Sequence, residues 1–154
     1  MGLDMYLEKR IYIGASYDFN NVKGTVYITK DNKEVPINFK KIDSIIERVG
    51  YWRKANQIHR WFVENIQDGN DDCKEYWVPA HKLHELYNIC KKVLRNHKLA
   101  PELLPTQSGF FFGGTDYDEY YFEDIKQTID ILKPVIKETS TDEYVGDFYY
   151  SSSW

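Results

Sequence analysis

The sequence predicts an α+β fold: a small antiparallel sheet packed with three to four helices in one domain over residues 1–154. Three observations lead there. Strand-like and helix-like segments are mixed without regular βαβ alternation, which favours an antiparallel sheet with its helices set apart. At 154 residues the chain suits one domain that buries roughly two-thirds of its unfolded surface. No internal repeat, heptad run or low-complexity segment points to a solenoid or coiled coil.

Residues 6–13 read as the first strand, rich in tyrosine and isoleucine with charges between them. Residues 25–29 and 34–39 flank Lys30-Asp31-Asn32-Lys33, a turn-forming segment that should close a hairpin. Pro36 lacks an N–H and places the second run at an edge. Ile42, Ile45, Ile46 and Val49 keep helical spacing, and Gly50 would end that short helix in left-handed geometry. A second helix is expected from Gly50 to Ile66, then a loop at residues 68–72.

Residues 75–78 form a short strand stopped by Pro79. Leu83, Leu86, Tyr87, Cys90, Val93 and Leu94 define an amphipathic helix. Pro101 and Pro105 bracket a loop, and Phe110-Phe111-Phe112 between glycines reads as a buried strand reaching a sharp turn. A last helix should begin near Asp116–Asp118, bury Phe122, Ile125, Ile129, Leu132 and Ile136, and kink or stop at Pro134. Residues 147–154 close the sheet, with consecutive aromatics suggesting burial on both faces.

The segment from Gly50 to Ile66 carries the strongest functional signal. On a helix, Trp52, Asn56 and His59 share the side that holds Ala55, Ile58, Phe62 and Ile66. An unpaired amide or imidazole in an apolar stripe costs roughly 1–3 kcal/mol. This face therefore meets a ligand, a partner or an internal polar network. Trp52 for stacking, Arg53 and Lys54 for charge, Asn56 for an amide or base edge and His59 for proton transfer make a nucleotide-type set. The structural alternative is a buried Asn and His satisfied by backbone carbonyls. Trp61 falls on the opposite face, exposed at an interface or covered by another element.

Gly113-Gly114-Thr115-Asp116-Tyr117-Asp118 is the second candidate. Glycines allow close backbone approach, and a helix start leaves N–H groups for an anion. Thr115 or Asp116 would serve equally as an ordinary N-cap. Asp118 is expected to point inward, toward Arg53, His59 or a ligand amine.

Other chemistry is weakly indicated. His81 and His84, with Cys73 and His97, lack the ligand spacing of a zinc site, so no metal is expected. Asp71-Asp72-Cys73 reads as a polar turn followed by a small buried residue. Gly-x-Gly-x-x-Gly, Walker-type, His-Glu-x-x-His and Gly-x-Ser-x-Gly signatures are absent, and no cofactor is expected.

Aromatic residues make up 16% of the chain, more than packing alone requires, and a tyrosine-rich sheet would absorb part of that excess. Ten acids stand against three lysines within residues 115–147, while the whole chain carries −4, so the remainder is net positive. Its basic residues are scattered, which argues against a nucleic-acid partner. Two cysteines, no long apolar run and a start without signal-peptide regions predict a cytoplasmic protein with no membrane partner. Leu7 occupies the position where a myristoylation motif has Ser or Thr, so no lipid anchor is expected.

Met1-Gly2-Leu3-Asp4-Met5-Tyr6-Leu7, Tyr51-Trp52-Arg53-Lys54-Ala55-Asn56-Gln57-Ile58-His59, Asp71-Asp72-Cys73, Gly109-Phe110-Phe111-Phe112-Gly113 and Phe148-Tyr149-Tyr150 resemble a family of small proteins encoded by tailed bacteriophages and bacterial genomes. The resemblance implies a phage or prophage origin, with host cytoplasm as the compartment, and brings no activity, cofactor or fold. Small phage accessory proteins often disable a host defence. The leading expectation is a pocket protein that binds a nucleotide-like small molecule through Trp52, Arg53, Asn56, His59, Gly113, Gly114 and Asp118. The second is an inhibitor docking on a host defence protein through its acidic, aromatic C-terminal region. The third is a nucleotide-processing enzyme with His59 and Asp118 as acid and base. A homo-oligomer is compatible with all three.

Overall fold

A computed structural model of the protein describes residues 2–14 and 27–154. Strand β1 (Asp4–Tyr12) lies between β4 (Ser44–Arg53) and β6 (Asp147–Ser153), and β5 (Tyr76–Val78) closes the far edge, giving an antiparallel sheet of order β4-β1-β6-β5. Strands β2 (Ile28–Lys30) and β3 (Lys33–Val35) form a separate hairpin. Its turn residues Asp31 and Asn32 both have positive φ, as a two-residue hairpin loop requires. The part of the expected first hairpin strand before residue 27 lies outside the described residues. Pro36 stands just past β3, so it costs the ladder no donor.

The helices are α1 (Asn56–Asn65), α2 (Ala80–Arg95), the single turn α3 (Ala100–Leu103) and α4 (Glu119–Glu138). With the sheet they enclose one core that includes Leu3, Met5, Leu7, Ile58, Phe62, Leu83, Leu86, Ile125, Leu132, Phe148 and Tyr150. The α+β class is as expected, and no helix among the described residues is long and apolar enough to cross a membrane.

Residues 44–53 form a strand and not the expected short helix ended by Gly50. A β-bulge shifts the register of β4 against β1, so that Leu7 faces Gly50 while Glu8 faces Arg48. The extra residue, Val49, breaks the two-residue alternation and leaves apolar positions at spacings that imitate a helix. Isoleucine and valine are strand formers in any case, and β1 supplies the ladder. Trp52 therefore sits on β4, facing Met5 across the ladder, and not on the helix that carries Asn56 and His59.

Gly50 has no positive φ among the described backbone angles. Its role is close approach, since a Cβ there would stand 2.8 Å from Ile131 Cγ2 of α4 and 3.0 Å from the Trp52 ring. Other expectations are corrected in the same way. Residues 109–112 form a turn, with Phe112 buried and Phe110 94% exposed, and not a buried strand. Pro134 lies within α4 and does not end it. Strand β6 alternates cleanly, with Phe148, Tyr150 and Ser152 inward, because only one face of the sheet is covered by helices.

Lys9 points into the helix-covered face, 2.6 Å from Glu138 at the end of α4 and 3.0 Å from Glu47 on β4. Burial lowers the pKa of its ammonium, but the two carboxylates outweigh burial and hold it above its ordinary value. Gly50→Ala should press a methyl group into Ile131 and Trp52 and lower stability by about 1–3 kcal/mol, read from urea unfolding.

Candidate functional site

Helix α1 begins at a sharp corner. Lys54, between β4 and α1, is held at φ +60 by a hydrogen bond from its N–H to Leu3 O (2.8 Å) and one from the Asn56 N–H to Lys54 O (2.9 Å). Gly113 packs against that corner: at φ +87, a Cβ there would lie 3.2 Å from Lys54 Cβ. Gly113 thus serves the contact between two turns. From this corner α1 enters the protein with Asn56, Gln57, Ile58, His59, Trp61, Phe62 and Val63 all buried. Trp61 is covered, at 5% exposure.

Burial on nearly every side obliges each polar residue of α1 to find a partner. Asn56 donates from Nδ2 to Phe112 O (3.0 Å) and Gly114 O (2.8 Å), and its Oδ1 accepts from Gln107 N (2.9 Å). The side chain thereby pins the 107–114 loop to the helix. His59 is fully buried between Tyr150 OH, 2.7 Å from Nδ1, and Asp71 Oδ2, 2.9 Å from Nε2. In the neutral-ring tautomer that suits these partners, Nε2–H donates to the Asp71 carboxylate and Nδ1 accepts from the Tyr150 hydroxyl. Burial raises the Tyr150 pKa well above its ordinary value and keeps that hydroxyl protonated. Asp71 Oδ1 also accepts from Trp154 Nε1 at 3.0 Å.

Trp52 is likewise fully buried, and its indole N–H donates to Thr128 Oγ1 at 2.9 Å. Thr128 in turn donates to Asp124 O within α4 (2.7 Å). Trp52 and His59 therefore offer no face for stacking and no free nitrogen for proton transfer. Asp118 is the N-cap of α4, accepting from Tyr121 N at 3.1 Å. No hydrogen bond or ion pair joins it to Arg53 or His59 among the described residues. Arg53 is exposed and pairs in register with Asp4, on the sheet face opposite the core.

A cleft of about 160 Å³ opens where these pieces meet. The α1 corner lines it with Lys54, Asn56 and Gln57, the glycine loop with Gly114 and Asp116, and the start of α4 with Asp118, Tyr120, Tyr121 and Asp124. Of the residues expected from sequence, Asn56, Gly114 and Asp118 line it. Trp52 and His59 lie in the core, and Gly113 and Arg53 are not among the lining residues.

Gln57 and Asp124 were missed, and they form the floor. Gln57, 2% exposed, donates from Nε2 to Asp124 Oδ2 at 3.1 Å. Burial raises the Asp124 pKa from 3.8 to about 6, against the lowering effect of the Gln57 hydrogen bond and with a smaller upward push from Asp118. The sequence signal is Gln57 itself, a third polar residue with Asn56 and His59 in the first four positions of α1.

The remaining candidates are dispersed. His84 Nε2 lies 2.8 Å from Thr139 Oγ1, His97 stacks on Phe122, and His81 is exposed. Cys73 is exposed at φ +57, and not the small buried residue expected after the Asp71-Asp72 turn. Among the described residues no group of three or more His, Cys, Asp or Glu is placed to hold a metal ion. A wider depression of about 400 Å³ beside Arg60, Val63, Glu64, Gly69 and Gln107 has no titratable group as deeply seated as Asp124.

Two outcomes follow from this geometry. His59→Ala should lower stability by about 3 kcal/mol in urea unfolding, since it leaves a cavity and strips partners from Tyr150 and Asp71. For Asp124 the folded-state pKa lies above the unfolded one, so the folded protein holds the extra proton between about pH 4 and pH 6. Stability should therefore fall as pH rises through that window. Asp124→Asn should flatten that slope and add about 1–2 kcal/mol at neutral pH, after allowance for solvent screening.

Comparison with family models, curated proteins and solved structures finds no match for the chain.

Proposed function

We propose that the protein is a pocket protein of the phage accessory type, binding a nucleotide-like small molecule in the cleft between α1 and the start of α4 and so withholding it from a host defence. The observation that carries this reading is the Gln57–Asp124 pair on the cleft floor. A half-buried carboxyl can accept from the ring N–H or exocyclic amine of a nucleobase, as aspartate does with an amino-bearing base edge. The exposed Tyr120 ring stands at the rim as a stacking surface, and Lys54 supplies the cation for a phosphate. Ligand pockets for whole drug-sized molecules run to about 300–1,000 Å³. A cleft of about 160 Å³ suits the base alone, with sugar and phosphate outside. Asp116 and Asp118 on the same wall disfavour a phosphate held deep inside.

A second reading has its own support. Tyr120, 81% exposed, shares the cleft wall with Asp116 and follows the exposed Glu119 in α4, an aromatic and acidic surface suited to a basic site on a host defence protein. The enzyme reading loses its expected pair, because His59 is sequestered and Asp118 caps a helix.

Calorimetric titration with a panel of nucleoside monophosphates tests the proposal. A base with an amino group or ring N–H should bind, and Asp124→Asn or Gln57→Ala should weaken it at least about tenfold, the equivalent of one good hydrogen bond. Lys54→Ala should cost less and make binding less salt-sensitive. The nucleotide should be recovered chemically intact after heat denaturation, and an altered one would favour an enzyme. If no nucleotide binds and a host protein co-purifies until Glu119→Lys or Glu123→Lys is introduced, the docking reading replaces this one.

A further inference from the structure

We infer that a second copy of this chain pairs with the outer edge of β4, joining two sheets into one across a two-fold axis. The two edges of the four-stranded sheet are unequal. β5 is three residues long and followed by Pro79, a blunted edge. β4 is ten residues long, and among the described residues its one strand neighbour is β1. Near its C-terminal end α4 covers the edge, where Gln127 Nε2 donates to the outward Tyr51 carbonyl (3.1 Å) and Ile131 crosses Gly50. Among the described residues no such cover lies over 44–48, where Ile46, Glu47 and Arg48 are exposed.

The ladder says which groups face outward. In an antiparallel pair, alternate residues turn both N–H and C=O toward the same neighbour. Tyr51, paired with Tyr6, has its carbonyl turned away from β1. On that alternation Met5, Leu7, Lys9 and Ile11 of β1 bond to β4, and beyond the bulge the register assigns Glu47 and Ile45 to β1. Ser44, Ile46 and Arg48 are left facing outward.

Charge selects the pairing. Centred on Glu47, a symmetric antiparallel pair would set two carboxylates face to face beside Glu138, and centred on Arg48 it would oppose two guanidinium groups. Centred on Ile46, it sets Ile46 against its own copy and Arg48 opposite Ser44, with outward backbone groups matched at all three positions. Ile46 is 53% exposed, an apolar β-branched side chain on the open face of an edge strand. Arg48 lies 4.8 Å over the Tyr6 ring on that face. This assembly is independent of the cleft and of any ligand there.

Sedimentation equilibrium on the full chain should show a reversible dimer forming between about 10 µM and 1 mM, as a small interface implies. Ile46→Pro removes an outward N–H and leaves the β1 ladder intact. It should give a monomer at every concentration, with its unfolding midpoint within a few degrees of the parent. In a Cys73→Ser background, Ile46→Cys should yield a disulfide-linked dimer on mild oxidation, because opposed Cα atoms of a hydrogen-bonded pair stand about 5.5 Å apart. Glu34→Cys on the hairpin should not. A protein monomeric throughout that range overturns the inference. So does a dimer that survives Ile46→Pro, or one that Glu34→Cys links as readily as Ile46→Cys.

Discussion

Helix α1 runs through the interior with apolar and polar residues buried alike, and the hydrogen bonds this imposes tie distant segments together. Asn56 holds the 107–114 loop, Gln57 reaches α4, and His59 joins the last strand to the loop after the helix. Each is a contact between segments far apart in sequence. Leaving any one of these buried groups unpaired would cost roughly 1–3 kcal/mol, so the segments are held in one arrangement. The stacked pair Phe62 and Tyr150, with ring centroids 3.9 Å apart, packs directly against the same network.

The cleft is a by-product of that wiring. Because Asn56 draws in the glycine loop and Gln57 draws in α4, two walls converge at the α1 corner without filling the space between them. Trp52 supports the arrangement through Thr128, one turn along α4 from Asp124. Trp52 and His59, which look most ligand-like in the sequence, belong to the scaffold. Plainer residues, Gln57 and Asp124 among them, line the cleft instead.

The sheet face opposite the core carries part of the tyrosine. Tyr6 and Tyr51 lie 5.6 Å apart on it, Arg48 sits over Tyr6, and Arg10 lies 4.4 Å over Tyr149 while bonding Glu75. These guanidinium–aromatic contacts, with Tyr51 donating to Asp4, make a mosaic of paired charges and rings.

By itself the sequence determined the α+β class, the first and last strands, the hairpin turn at Asp31-Asn32, and helices α2 and α4, because local signals sufficed there. Alternation, turn chemistry and a single apolar stripe are properties of neighbouring residues. It also marked Asn56 and His59 as polar groups needing partners, and an internal network was among the alternatives it left open. The tertiary structure decided the rest. A bulge at Val49 disguised a strand as a helix and moved Trp52 off α1, since register depends on β1 and not on residues 44–53 alone. Asp118 became a cap, while Asp124, one helical position among many acids, acquired its raised pKa from burial beside Gln57. Pairing, register and desolvation are set by residues distant in the chain, and no local pattern encodes which of them will meet.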